Sequence, residues 1–186
     1  MAAADTPSAS TLRRRDLCSR GIRLARKMRS DVADLLDIYV ERQGLDASVS
    51  VAAVEGVPAA AAEHWGEQTG TQRLLDNLAA YRAFRALLAQ MLEEQREQLG
   101  DADAALGRAL AAVLLQLLEL ESRRPPGDDG DGPPAPPRLS LFEQKLRGLG
   151  VLRELAQWAV RSVRDLRQLA RPGPGPSSAP GMAEGQ

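Results

Sequence analysis

A single histidine, His64, and a single cysteine, Cys18, limit the chemistry open to this chain. A zinc site needs three or four His, Cys or carboxylate ligands, and a nucleophilic triad needs a base beside its nucleophile; one His and one Cys far apart in sequence supply neither. Cys18 has Arg14, Arg15 and Arg20 close by in sequence, which would favour a thiolate, but it has no acid or histidine partner and reads as a free thiol. Glu93, Glu94 and Glu97 read as a solvated acidic face. The G-x-x-x-x-G-K-[ST] phosphate loop is absent, and Gly148 and Gly150 read as helix-weakening glycines. The chain is therefore not expected to be an enzyme or to hold a metal or cofactor.

Recognition chemistry is better represented. Positive charge, nearly all of it Arg, gathers in residues 13–29 and 147–171, although the net charge is only -1. An arginine fork makes bidentate contacts to carboxylates, so such runs suit an acidic protein partner; the bland alternative is a solvated face. Near-neutral overall charge and the lack of a docking motif argue against nucleic acid. Phe142 and Lys145 lie one turn apart, just after a proline-rich stretch. Phe142 is either an exposed anchor or a ring tucked under the preceding loop. Trp65 reads equally as a lid over the core or as a direct partner contact, and Trp158 as partly buried core.

Helices must position these groups. Hydrophobic residues make up 44% of the chain but aromatics only 3%, so Leu, Val and Ala have to build the core, which favours helix over sheet. Four amphipathic segments are expected, at about residues 12–43, 71–99, 101–122 and 140–170. Their inward stripes are Leu17, Leu24, Met28, Val32, Leu35 and Tyr39; Leu74, Leu78, Tyr81, Phe84, Leu88 and Leu92; Leu106, Leu110, Val113, Leu114 and Leu117; and Leu149, Leu152, Leu155, Ala159, Val163 and Leu166. Gly44 and Gly100 are stop signals, and Ser140 with Glu143 forms a capping box. Residues 1–11 and 172–186 are expected to be disordered tails flanking a domain at 12–171.

The links fix the topology. The first, about 26 residues, can span a helix of about 45 Å; the second is essentially Gly100; the third contains RPPGDDGDGPPAPP. Long, short, long is the loop pattern of an all-α, up-up-down-down four-helix bundle with two long crossovers. On helical wheels Arg26 and Arg29 lie off the first stripe, and Arg161, Arg164 and Arg171 off the fourth. Helices one and four are antiparallel neighbours in this topology, so the two basic runs are expected to merge into one surface. The third helix is short. Its deficit is expected to open one end of the core near Leu74 and Leu78, at the end where helix four and Phe142 begin.

Three strings carry a resemblance: RRDLCSRGIRLARKMRSD at 14–31, HWGEQTGTQRLLDNLAAYRAF at 64–84 and LFEQKLRGLGVLRELAQWAVRSVRDLR at 141–167. They resemble the ciliary neurotrophic factor family, long-chain helical cytokines of the leukaemia inhibitory factor type. The resemblance implies a neurotrophic cytokine that assembles a lipid-anchored ciliary neurotrophic factor alpha receptor, the leukaemia inhibitory factor receptor and a shared signal-transducing glycoprotein chain. Kinase-linked signalling and neuronal survival would follow. It also implies an alpha-receptor site at Arg26, Arg29, Trp65, Arg161, Asp165 and Arg167, and a signalling-receptor site at Phe142 and Lys145. Leu75 stands where the family uses a glutamine, and the third helix passes from LLQ (114–116) into LLELES where the family's helix continues and carries aromatics.

A single cysteine, no apolar leader, no glycosylation sequon at Asn77 and no long apolar run imply synthesis in the cytoplasm, no membrane insertion and release by a non-classical route. The alternative from another class is an intracellular helical scaffold or lipid-surface protein using the basic first helix.

Overall fold

A computed structural model describes residues 6–99, 104–121 and 139–171. Over these residues the chain forms four α-helices and no strand: α1 Ala9–Gln43, α2 Gly70–Leu99, α3 Ala104–Glu121 and α4 Leu141–Ala170. The expected tails at 1–5 and 172–186, the link at 100–103 and most of the proline-rich link, 122–138, lie outside the described residues.

Local chemistry sets the helix ends. α1 begins at Ala9, three residues before the expected start, because the Ser8 side chain accepts the Thr11 N–H at 3.3 Å and caps the first turn. Ala9, Ser10 and Thr11 thus belong to the helix and not to a tail. α1 ends at Gly44, whose φ of 62° lies in the left-handed region where a side chain is strained. Gly44 N–H donates to the Glu41 carbonyl and Leu45 N–H to that of Val40, a Schellman arrangement. The expected capping box of α4 is present. Glu143 N–H donates to Ser140 Oγ, and Ser140 N–H donates to the Glu143 carboxylate at 2.8 Å.

Side-chain pairs give the directions. Gln43 bonds Gln95, so α1 and α2 finish at the same end and are parallel. Tyr39 Oη donates to the Lys145 carbonyl near the start of α4, while Gly21 lies against Leu166 near its finish, so α1 and α4 are antiparallel. α2 likewise opposes α4, with Gln98 bonded to Gln144 and Gly70 against Leu169. Gln116 of α3 reaches Asp31 of α1. This is the up-up-down-down bundle, and its core joins Met28, Val32, Leu35 and Tyr39 to Phe84, Leu88, Leu110, Leu117, Leu149, Leu152 and Leu155. Most of the apolar face of each helix is spent on the others, which counts against the lipid-surface alternative.

Residues 45–69 run along α4. Arg153 donates to the carbonyls of Ala47 and Val49, Trp158 Nε1 donates to the Pro58 carbonyl at 2.8 Å, and Ala60 N–H donates to Glu154. This link needs one α4 glycine, Gly150, and the packing of α1 against α4 needs another, Gly148. A Cβ on Gly150 would sit 2.8 Å from Val54 Cγ2, and one on Gly148 would collide with the Tyr39 hydroxyl. These glycines are therefore close-approach positions, not merely weak spots in a helix.

At 18 residues α3 is about 27 Å long, while α1, at 35 residues, is about 52 Å. The open end exists beside Leu74 and Leu78, as expected, but it is not the end where α4 begins. α3 runs away from the end where α4 begins, so it falls short beside the starts of α1 and α2 and the finish of α4. Phe142 is at the other end. Leu17 and Leu74, expected to be buried, are 57% and 45% exposed because α3 offers nothing opposite them.

Candidate interaction surfaces

The first surface is organised by Trp65. Residues Trp65–Glu67 form one 3-10 turn where the first link meets α2. The indole Nε1–H donates to Asp165 Oδ1 at 2.6 Å, and the ring lies between two guanidinium groups, Arg73 of α2 at 4.0 Å and Arg164 of α4 at 3.9 Å. Arg73 also donates to the Trp65 carbonyl at 2.9 Å. Each cation over an indole face contributes about 0.5–1 kcal/mol where water has access. Trp65 is thus both a clamp on the crossover and a half-buried aromatic presented between positive charges.

Beneath it lies a buried polar network. Asp165 is wholly buried and accepts from Trp65, from Asn77 Nδ2 at 2.7 Å and from Arg161 Nε at 3.3 Å. Arg161, 5% exposed, donates to Asp76 at 2.9 Å, to Gln68 at 3.1 Å and to the Ala60 carbonyl, and its guanidinium lies over the Trp158 ring. Ser162 links Asn77 to Tyr81. Burial pushes the Tyr81 hydroxyl well above its ordinary range, a shift opposed by its bond to Ser162, so Tyr81 stays neutral. The network ties α2, α4 and the crossover together at one level.

This corrects the expectation for Arg161. It does not belong to an exposed basic surface: the crossover lies over it and its donors are turned inward. Asp165 is likewise interior, and Trp158, expected to be partly buried, is fully so. Of the six residues carried by the resemblance, Trp65, Arg161 and Asp165 meet in one cluster. Arg26, Arg29 and Arg167 stay exposed, and among the described residues no hydrogen bond or ion pair joins them to that cluster. The antiparallel register, set by Gly21 beside Leu166 and Tyr39 beside Lys145, brings Arg26 level with Arg161 across the α1–α4 seam. Arg73, Asp76, Gln68 and Asn77 were not singled out as members. The i, i+4 pairing of Arg161 with Asp165 was readable as a signal, but their partners on α2 and in the link become neighbours only through the fold.

The second surface is at the start of α4. Phe142 is 62% exposed and Leu141 beside it is also exposed, so Phe142 is not tucked under a described loop. Lys145 is half-buried, and its ammonium donates to the Gln43 carbonyl at 3.1 Å, capping the negative end of α1. Phe142 therefore projects from a rigid, doubly capped corner. Cys18 is a buried free thiol. Burial pushes its pKa up and outweighs the opposing pull of Arg14, so the expected thiolate character is not realised. Among the described residues no His, Cys, Asp and Glu group could hold a metal ion, and no helix is long and apolar enough to cross a membrane.

Comparison with known proteins places these surfaces in context. A family model described as ciliary neurotrophic factor matches residues 1–185. The chain is 78% identical to ciliary neurotrophic factor of Gallus gallus over 196 aligned positions that cover all of both chains. Since this chain has 186 residues, ten of those positions carry none of its residues. It is 43% identical to the Rattus norvegicus protein of that name over 86% of each chain, and 42% identical to the Homo sapiens protein over 84% of each.

Proposed function

Because the chain belongs to the ciliary neurotrophic factor family, a family of neurotrophic cytokines and not of enzymes, we propose that it signals by assembling cell-surface receptor chains through separate faces. The observation that carries this reading is the separation of two differently built surfaces along α4. Phe142 and Asp165 are 23 residues apart on one helix, about 35 Å at 1.5 Å per residue. One molecule can then hold two receptor chains at once without either blocking the other, and the second binding event gains from the first by proximity.

The alpha receptor takes the Trp65 face. Trp65, Arg26, Arg29 and Arg167 make the contacts, joined by Arg73 and Arg164 on either side of the indole; an acidic or aromatic receptor loop fits such a surface. Arg161 and Asp165 act beneath it, holding the indole at a fixed angle, and do not themselves touch the receptor. The leukaemia inhibitory factor receptor takes Phe142, an aromatic anchor of hot-spot type, with Lys145 fixing the corner from which it projects. The shared signal-transducing glycoprotein chain completes the complex, and kinase-linked signalling for neuronal survival follows. The protein is made in the cytoplasm and reaches its receptors by non-classical release.

The experiment is binding of the purified chain to each immobilised receptor ectodomain. Trp65→Ala is expected to weaken the alpha receptor alone, and Phe142→Ala the leukaemia inhibitory factor receptor alone. Equal losses on both receptors from either substitution would refute separate faces.

A further inference from the structure

The short α3 leaves a cleft of about 780 Å³ between the starts of α1 and α2 and the finish of α4. Leu17, Leu24, Leu74, Leu78, Leu166 and Leu169 line it, and Leu120, from the last turn of α3, closes one side. Its polar lining is already satisfied: Asn77, Tyr81 and Ser162 bond one another and Asp165, and Cys18 is buried. What this space lacks is apolar contact, and its volume falls within the range of small-molecule sites. At the mouth stand Arg13 and Arg14, exposed and, among the described residues, without an ion-pair partner.

The chain has nothing of its own suited to fill the cleft. Residues 1–5, 100–103, 122–138 and 172–186 contain no Leu, Ile, Val, Phe or Trp, and Met1 and Met182 are their only large apolar side chains. A second copy docked here would bring two Arg13–Arg14 pairs towards each other. A single acyl chain supplies the missing contact, and an anionic head group at its end meets the arginines.

We infer that this cleft binds a long-chain fatty acid, with the acyl chain among the leucines of α1, α2 and α4 and the carboxylate between Arg13 and Arg14. The bound chain would stand in for the core that α3 does not reach, and the protein would gain stability by mass action.

The test uses the full delipidated chain, with 11-(dansylamino)undecanoic acid as fluorescent probe and palmitate as competitor. The expected result is saturable binding of one probe per chain, displaced by palmitate, with Cys18 reacting more slowly with N-ethylmaleimide when palmitate is bound. The double variant Arg13→Ala/Arg14→Ala should weaken palmitate about tenfold, as expected for loss of a charge-assisted contact, and leave uncharged hexadecanol unchanged. Leu17→Glu, at an exposed position that the fold tolerates, should weaken both. Circular dichroism checks that each variant is folded. The inference is overturned by any of four outcomes: no saturable binding, binding that leaves Cys18 reactivity unchanged, binding that appears only after residues 172–186 are deleted, or a dimer in sedimentation whose dissociation is needed for binding.

Discussion

At the end of the bundle where α4 begins, Tyr39 reaches through the space left by Gly148 to the Lys145 carbonyl, and Leu149 and Leu152 are buried. At the end where α4 finishes, Leu17 and Leu74 stand exposed around a cleft, and order rests on the polar network of Arg161, Asp165, Asn77 and Asp76. Apolar packing dominates the first end, while a buried polar network holds the second beside its open cleft. A closed apolar end loses stability roughly in proportion to the contacts removed. A buried network fails as a unit, because stripping one member leaves a charge without a partner.

The largest effect should therefore come from the network. Arg161→Ala leaves Asp165 buried with its cation gone, and breaking such a pair typically costs about 3–5 kcal/mol. Denaturant unfolding should show this loss, together with slackening of the crossover, read as a change in tryptophan fluorescence that Trp158→Phe does not abolish. A cost below about 1 kcal/mol would mean that the network is not what holds this end together.

Next come two leucines on the same helix. Leu88 is fully buried, and Leu88→Ala should cost about 2–5 kcal/mol by cavity formation. Leu74, at the cleft, should cost under about 1 kcal/mol on the same substitution, since little contact is lost. Equal costs would mean that the cleft is filled in solution without added ligand. Amide exchange sharpens the same contrast. In apo protein the first turns of α1 and α2 should exchange before residues 84–92 of α2, and uniform protection along α2 would contradict the open end.

The smallest effect is electrostatic and belongs to the other end. The bonds from Ser140 hold the Glu143 carboxyl below its ordinary range, chiefly through the backbone N–H. A depressed folded pKa gives stability that is fully present above the unfolded value and lost as pH falls through the folded one. The melting-temperature gap between the wild type and Glu143→Ala should therefore be present at neutral pH and shrink in acid. A gap unchanged at low pH would mean that the capping box is not formed in solution.

Much of this architecture was legible in the residues. Stripes at helical spacing located the helices, and unequal link lengths gave the topology, because chain length limits where a helix can restart. For Phe142 the sequence left two readings, an exposed anchor or a ring under the preceding loop, and the fold exposes it. Three things were not legible, and each depends on the crossover or on direction. Arg161 lies off the stripe of its own helix, yet residues 60–68 lie over it, and no periodicity within α4 records that. The roles of Gly148 and Gly150 came from Tyr39 and Val54, each about a hundred residues away in sequence. The cleft beside Leu74 and Leu78 follows from the length of α3, but the sequence reading pairs it with the start of α4, when it lies beside that helix's finish.

The central claim is that one small helical protein carries two independent receptor faces, and Phe142→Ala tests it most directly. Affinity for the leukaemia inhibitory factor receptor and for the alpha receptor ectodomain would be measured separately, on protein whose unfolding curve is also recorded. The account predicts a loss of about 2 kcal/mol or more on the first receptor, roughly 30-fold, no change on the second, and stability within about 0.5 kcal/mol of the wild type. Unchanged affinity for the first receptor alongside a sharp fall in stability would show Phe142 to be a structural side chain and would contradict the account.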